Sequence, residues 1–156
     1  MKKEEISIIV PIYNVEKYVE KCLKSLINQT YKKIKIYAII DGSPDNSAEI
    51  VKKYAKKDDR ILFVEKENGG YGSVLQYAID KIDTEYFAIC DPDDWLEVNA
   101  IETLYKTAIK YDSDIVIGDK YNVYEDSTDK KIKIKSNLNH EYVKPNHLYE
   151  NKMFLF

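Results

Sequence analysis

Tyr86-Phe87-Ala88-Ile89-Cys90-Asp91-Pro92-Asp93-Asp94-Trp95 joins a short apolar run to three carboxylates in four positions. The run has the length and composition of a buried strand, and ligands of open α/β sheets collect beyond the carboxyl ends of strands. Two carboxylates ~4 Å apart repel by roughly 4 kcal/mol at an effective dielectric of about 20, so the cluster needs a counter-charge, protonation or intervening solvent. A divalent cation is the simplest of these. Mg²⁺ or Mn²⁺ takes oxygen ligands, commonly one or two carboxylates completed by water and substrate phosphates. Asp91, Asp93 and Asp94 are therefore candidate metal ligands; the alternative is a solvated turn that caps the following helix.

The same strand-then-helix pattern extends in both directions. Ile6 to Val10 is a β-branched run ended by Pro11, and Val15, Val19, Cys22, Leu23, Leu26 and Ile27 then recur at helical spacing with Asn14 as candidate cap. Strand Ile36 to Ile40 precedes a helix carrying Ile50, Val51, Tyr54 and Ala55, and strand Ile61 to Val64 precedes one carrying Val74, Leu75, Ala78, Ile79 and Ile82. After Cys90 come a helix with Ile101, Leu104, Tyr105, Ala108 and Ile109 and a strand from Ile115 to Gly118. Apolar strands alternating with helices predict an α/β fold, a mainly parallel sheet flanked by helices on both faces with right-handed crossovers. Beyond Gly118, Lys131 to Lys135 alternates like an exposed strand and Ser136 to Asn151 has little periodicity. Residues 1–120 therefore read as a core, and 121–156 as an excursion or the start of a further region. The apolar end Met153-Phe154-Leu155-Phe156 suits a free tail poorly, and the expectation is a piece of a longer chain.

A chain of 156 residues with 44% hydrophobic content fits one domain. Its 24 basic residues are scattered among 27 acidic ones, net −3, which leaves no electrostatic footprint for a nucleic acid. A phosphate ligand then depends on local donors or a metal. Cys22 and Cys90 sit in apolar patterns without metal-ligand spacing, so they read as reduced core thiols in a reducing, cytoplasmic compartment. No apolar stretch reaches the about 18 residues that span a bilayer. His140 and His147 read as surface residues.

Each strand end carries a polar or turn-forming signature. Pro11-Ile12-Tyr13-Asn14 follows the first strand, with Tyr13 either a half-buried aromatic or a ligand contact. Asp41-Gly42-Ser43-Pro44-Asp45-Asn46-Ser47 follows the second; Asp45 or Ser47 is placed to cap the next helix, and Asp41 is placed to accept a hydrogen bond from a base. Glu67-Asn68-Gly69-Gly70-Tyr71-Gly72-Ser73 follows the third, and its glycines let backbone amides approach a phosphate at a helix start. It lacks the third small residue and the first-strand position of a dinucleotide fingerprint.

Together with Ser25-Leu26-Ile27-Asn28-Gln29-Thr30-Tyr31, these stretches and Asp91-Pro92-Asp93-Asp94-Trp95 closely resemble the inverting family 2 glycosyltransferases of the Rossmann-like GT-A fold, over roughly residues 5 to 120. The resemblance implies a nucleotide-sugar site, with a UDP-sugar donor and Mg²⁺ or Mn²⁺. It implies that Tyr13, within Pro11 to Asn14, stacks near the base and that Asp41 bonds the uracil. By the same resemblance Asn68, Gly69 and Gly70 are expected to line the nucleotide pocket, Asp93 to lie near ribose or metal-bound water, and Asp94 to be the direct metal ligand. Two departures stand out: Ile40 replaces the first of the usual Asp pair, and Leu75-Gln76 stands where many members have Arg-Asn.

The reaction so implied moves the sugar to an acceptor hydroxyl of a surface glycan or glycolipid. The full-length protein is then expected to be cytoplasmic or peripheral at the inner face of the membrane. The general base is expected beyond Phe156, and neither Asp119 nor Glu141 is assigned that role. A non-catalytic nucleotide-sugar-binding module and a metal-dependent phosphohydrolase are the competing readings.

Overall fold

The computed structural model describes residues 2–123, 132–134 and 153–155. His140 and His147 lie outside them. In chain order the elements are β1 (Lys2–Ile12), α1 (Val19–Ile27), β2 (Ile34–Asp41), α2 (Ser47–Ala55), β3 (Ile61–Lys66), α3 (Tyr71–Ile79), β4 (Thr84–Ile89), α4 (Ala100–Tyr111), β5 (Ile115–Ile117), β6 (Lys120–Asn122), β7 (Ile132–Ile134) and β8 (Met153–Leu155). Among the described residues six strands form one sheet in the order β3-β2-β1-β4-β8-β5, every pairing parallel. β6 and β7 pair antiparallel by themselves. Ile132–Ile134 within the alternating segment is thus a strand, and the apolar Met153–Leu155 stretch lies between β4 and β5.

Alternation along the central strands builds two cores. Ile6, Ile8, Val10 and Ile12 of β1 and Ile34, Ile36, Ala38 and Ile40 of β2 meet α1, α2 and α4 through Leu23, Val51 and Leu104. Ile9, Tyr37 and Ile39 face the other way, onto Val74 and Ala78 of α3. Ile6, Ile8, Ile9, Ile12, Ile36 and Ile39 are wholly buried, each stabilising by about 1.5–3 kcal/mol relative to exposure. The sheet is therefore covered on both faces, as the near-continuous apolar strands required.

The chain steps from β1 to β2 to β3 and then jumps back across β1 to β4. Reversing direction puts α3 on the face opposite α1 and α2, as a right-handed crossover requires, whereas α4, between β4 and β5, packs on the α1 face and departs from the expected right-handed crossover. The reversal also places the topological switch point between β1 and β4, where open sheets of this kind bind ligands in the crevice beyond the strand ends.

Boundaries differ from the sequence expectation in several places: β1 runs from Lys2 through Pro11 to Ile12 instead of ending at the proline, and β2 already begins at Ile34. β4 begins at Thr84, which is buried with its hydroxyl 2.8 Å from that of Ser7, so a polar residue extends the apolar run. Asn14 does not cap α1: the helix starts at Val19 after a turn in which the Tyr18 and Val19 amides donate to the Val15 carbonyl. Asn14 instead takes a left-handed φ of 54°, which a short amide side chain tolerates better than most. The N-cap position of α2 is Asn46, while Asp45 accepts the Ser47 amide at 3.1 Å and so serves the helix from one residue further out. Both cysteines are buried and free, with sulfurs 3.8 Å apart. No helix among the described residues is long and apolar enough to cross a membrane.

Candidate active site

The segments after β1 and β2 are tied together by hydrogen bonds from backbone to side chain. The Asn14 amide donates to Ser43 Oγ at 2.8 Å and the Glu16 amide to Asp45 Oδ2 at 2.8 Å. Asn46 returns the exchange, donating to Glu16 Oε2 through its amide at 2.9 Å. Burial alone pushes the Asp45 carboxyl up, but donors from Ser43, Ser47 and Glu16 overcome this and hold it at about 2. Beside this knot Pro11 is buried and Tyr13 is 51% exposed, an aromatic face left open at the crevice.

Asp41 ends β2 only 3% exposed, and its carboxylate is almost fully engaged. It accepts Lys66 Nζ at 2.5 Å, the Gly69 amide at 3.0 Å and the Gly70 amide at 2.8 Å. Its carbonyl takes the Asn68 side-chain amide at 3.0 Å, and Lys66 also reaches the Glu67 carbonyl and Ser73 Oγ. Burial pushes the Asp41 carboxyl up, yet the donors of Lys66, Gly69 and Gly70 together hold it below its ordinary value. A carboxylate offers about four lone-pair sites, so roughly one acceptor position is left for a ligand N–H.

The glycine amides expected to meet a phosphate thus meet the Asp41 carboxylate instead. The anion at this turn is internal, because β2 and β3 run parallel in register and set Asp41 beside Lys66. The close fit depends on Gly42, which has φ +61° and lies where an added Cβ would stand 2.8 Å from the Asn68 backbone nitrogen. Gly42→Ala is expected to cost about 1–2 kcal/mol from the left-handed backbone alone. Displacement of Asn68 adds to that. Urea unfolding measures the loss; an unchanged midpoint would contradict the tight approach.

Asp91, Asp93 and Asp94 are all exposed around a buried Pro92, and the Asp94 amide closes a turn on the Asp91 carbonyl at 3.0 Å. Partial burial, then the charges of Asp93 and Asp91, push the Asp94 carboxyl up against the opposing pull of Lys120. Tyr71, 53% exposed in the glycine turn, donates its hydroxyl to Asp91 Oδ1 at 3.1 Å. Burial, followed by the Asp91 charge, pushes the Tyr71 phenol up to about 12. Among the described residues no three His, Cys, Asp or Glu side chains are gathered so that they could hold a metal ion. Three like charges have no reason to converge without a counter-ion. The donor set that remains, one or two carboxylates from this turn, suits Mg²⁺ or Mn²⁺ completed by water and substrate phosphates.

The structure therefore brings together Tyr13, Asp41, Asn68, Gly69, Gly70 and the Asp91–Asp94 turn at one end of the sheet. Sequence reasoning missed Lys66 and Tyr71. Lys66 is legible only once the β2–β3 register is known, and Tyr71 only once the glycine turn is seen to reach the carboxylates.

The family model described as glycosyl transferase family 2 matches residues 7–155. Glycosyltransferase GlyA of Streptococcus pneumoniae is 43% identical over 122 residues, covering 78% of this chain and 18% of that protein. Glycosyltransferase GlyG of the same species is 42% identical over 125 residues, covering 80% and 41%. The chain thus spans less than half the length of these relatives. Among solved structures, S. aureus TarS in complex with UDP-GlcNAc superposes with a TM-score of 0.70 at 26% identity, over 81% of this chain and 37% of that one.

Proposed function

This chain belongs to glycosyl transferase family 2, and from that premise we propose that it forms the donor-binding part of an enzyme transferring a sugar from a UDP-sugar to an acceptor hydroxyl, with inversion at the anomeric carbon. The acceptor class is a cell-surface glycan or glycolipid. The observation that carries the reading is the Tyr71–Asp91 hydrogen bond. It links the glycine turn, clamped on Asp41, to the carboxylate turn, so the element for the base and the element for the diphosphate belong to one site. The TarS structure with UDP-GlcNAc supports the choice of donor.

In this reading Tyr13 stacks on the base and the one open acceptor position of Asp41 takes a base N–H. Asn68 and Gly69 line the nucleotide, and Asp93 approaches the ribose. Asp94 is the direct ligand of Mg²⁺ or Mn²⁺, with Asp91 held ready by Tyr71. The cation supplies Lewis-acid stabilisation of the charge that develops on the departing diphosphate. The protein's own part is to bind and orient: an Asp41 fixed by three donors has no freedom to lose when the donor enters. The acceptor hydroxyl gives its proton to a carboxylate of the acceptor-binding half, well beyond the Asp91–Trp95 turn and neither Asp119 nor Glu141.

A thermal-shift titration with UDP, GDP and ADP, each with Mn²⁺ and with chelator, tests this directly. UDP with Mn²⁺ at ~100 times its dissociation constant is expected to add about 2.7 kcal/mol to stability, and chelator to remove most of that gain. Equal stabilisation by UDP in chelator would refute the metal assignment, and no stabilisation by any nucleotide would refute the donor site.

A further inference from the structure

The carboxylate turn is anchored at both ends. At its entry the Cys90 amide donates to the Ile9 carbonyl of β1 at 2.9 Å. At its exit the partners come from α1 and the residues just after it, at a spacing of four. Lys21 Nζ lies 3.1 Å from the Trp95 ring centroid. Ser25 Oγ accepts the Leu96 amide at 3.1 Å. Gln29 Nε2 donates to the Glu97 carbonyl at 2.8 Å and to the Ser25 carbonyl at 3.1 Å, while its Oε1 accepts the Ile101 amide at 3.0 Å. The Thr30 amide closes the set on the Val98 carbonyl at 2.8 Å.

Residues i and i+4 of a helix share a face, so Lys21 and Ser25 of α1 meet residues 95 and 96, and Gln29, just beyond the helix end, meets residues 97 and 101 as they leave the carboxylates. Gln29 is the centre of this arrangement. It is wholly buried, both amide hydrogens and the oxygen are used, and it satisfies a carbonyl at the end of α1 and an amide at the start of α4 together. No hydrophobic residue of its size could do this, and Glu would turn a repelling oxygen toward two carbonyls. Cation–π contact at an exposed lysine is weak, so the hydrogen bonds of Ser25 and Gln29 carry the position.

We propose that Ser25 and Gln29 are positioning residues that hold the exit of the Asp91–Trp95 turn and thereby set the affinity of the donor site for its metal-bound diphosphate, without touching metal or donor. This rests on the donor-site reading above. Trp95 is the chain's one tryptophan, so its fluorescence reports on the turn with no nucleotide present.

Ser25→Ala, Ser25→Thr and Gln29→Met are compared with the unaltered chain by acrylamide quenching of Trp95, by UDP affinity with Mn²⁺ and in chelator, and by far-UV circular dichroism. Ser25→Ala and Gln29→Met are expected to raise quenching and to weaken Mn²⁺-dependent UDP binding about tenfold, the scale of one buried amide left unsatisfied. UDP affinity in chelator and the dichroism should stay within error of the unaltered chain, and Ser25→Thr, which keeps the hydroxyl, should behave as wild type. Unchanged quenching in Ser25→Ala would overturn the proposal. So would an equal loss of UDP affinity with and without Mn²⁺, which marks general damage rather than positioning. If the unaltered chain itself shows no Mn²⁺-dependent UDP binding, the donor-site reading fails, and quenching still decides whether α1 holds the turn.

Discussion

Asp94→Asn is expected to lower the Mn²⁺-dependent affinity for UDP by at least ~100-fold, since even the partners of metal ligands commonly account for 10–100-fold, and to do so without destabilising the fold. The two effects have opposite origins. Burial and the neighbouring charges of Asp93 and Asp91 hold the Asp94 carboxyl above its ordinary value. With the folded-state value raised, the native state binds the proton more readily than the unfolded chain. Ionised Asp94 therefore subtracts from stability as pH rises through that value, and a neutral amide of the same size removes the penalty. Asp94→Asn should unfold at the same or a slightly higher urea concentration at pH 7, yet gain nothing from UDP when Mn²⁺ is added. Isothermal titration beside urea unfolding measures both. Lower stability together with lost binding would mean that Asp94 is a structural residue. Retained Mn²⁺-dependent binding would move the metal to Asp91 or Asp93.

Asp41→Asn should produce the largest loss of stability of any single change in the site, about 3 kcal/mol, as expected when one partner of a buried charge pair is removed. The side chains of Asp41 and Lys66 are only 4% and 21% exposed, so the stranded ammonium has little water to turn to. The new amide also sets an NH₂ group among the three donors from Lys66, Gly69 and Gly70. The same network makes stability depend on acid. Asp41 is held below its ordinary value, so its contribution is fully present above the unfolded carboxyl value near ~4 and is lost as pH falls through the folded one. Asp45 acts in the same direction down to about 2. Urea midpoints measured from pH 6 to pH 2 should fall less steeply in Asp41→Asn than in wild type. A parallel pair of curves would show that Asp41 is not held ionised by its donors.

The fold was legible because its signals are local and repeated. Five apolar strands and four helices each show their own period, and the glycine, proline and aspartate clusters mark the ends. What stayed hidden depends on pairs distant in sequence. Nothing near Lys66 announces that it neutralises Asp41; the parallel register of β2 and β3 decides that. Nothing near Gln29 announces that its amide is buried between two helices, because a glutamine at the end of a helix is ordinarily solvated. Asn14 misled for a related reason: asparagine suits a helix cap and a left-handed residue alike, and the neighbouring Ser43 hydroxyl favours the second. The pattern could place the carboxylates at a strand end, but not their partners Tyr71 and Lys120, which arrive from the starts of α3 and β6.

The position of β8 between β4 and β5 separates the order of synthesis from the order of assembly. β1 to β4 can find their final neighbours as they leave the ribosome, each strand pairing with one already made. β5 cannot: among the described residues, both its sheet neighbour and the outer partner of β4 are residues 153–155. The pairings of β1, β2 and β3, which carry Asp41 and lead to Tyr13, can thus form before translation reaches the strand that closes the flank beside the carboxylate turn.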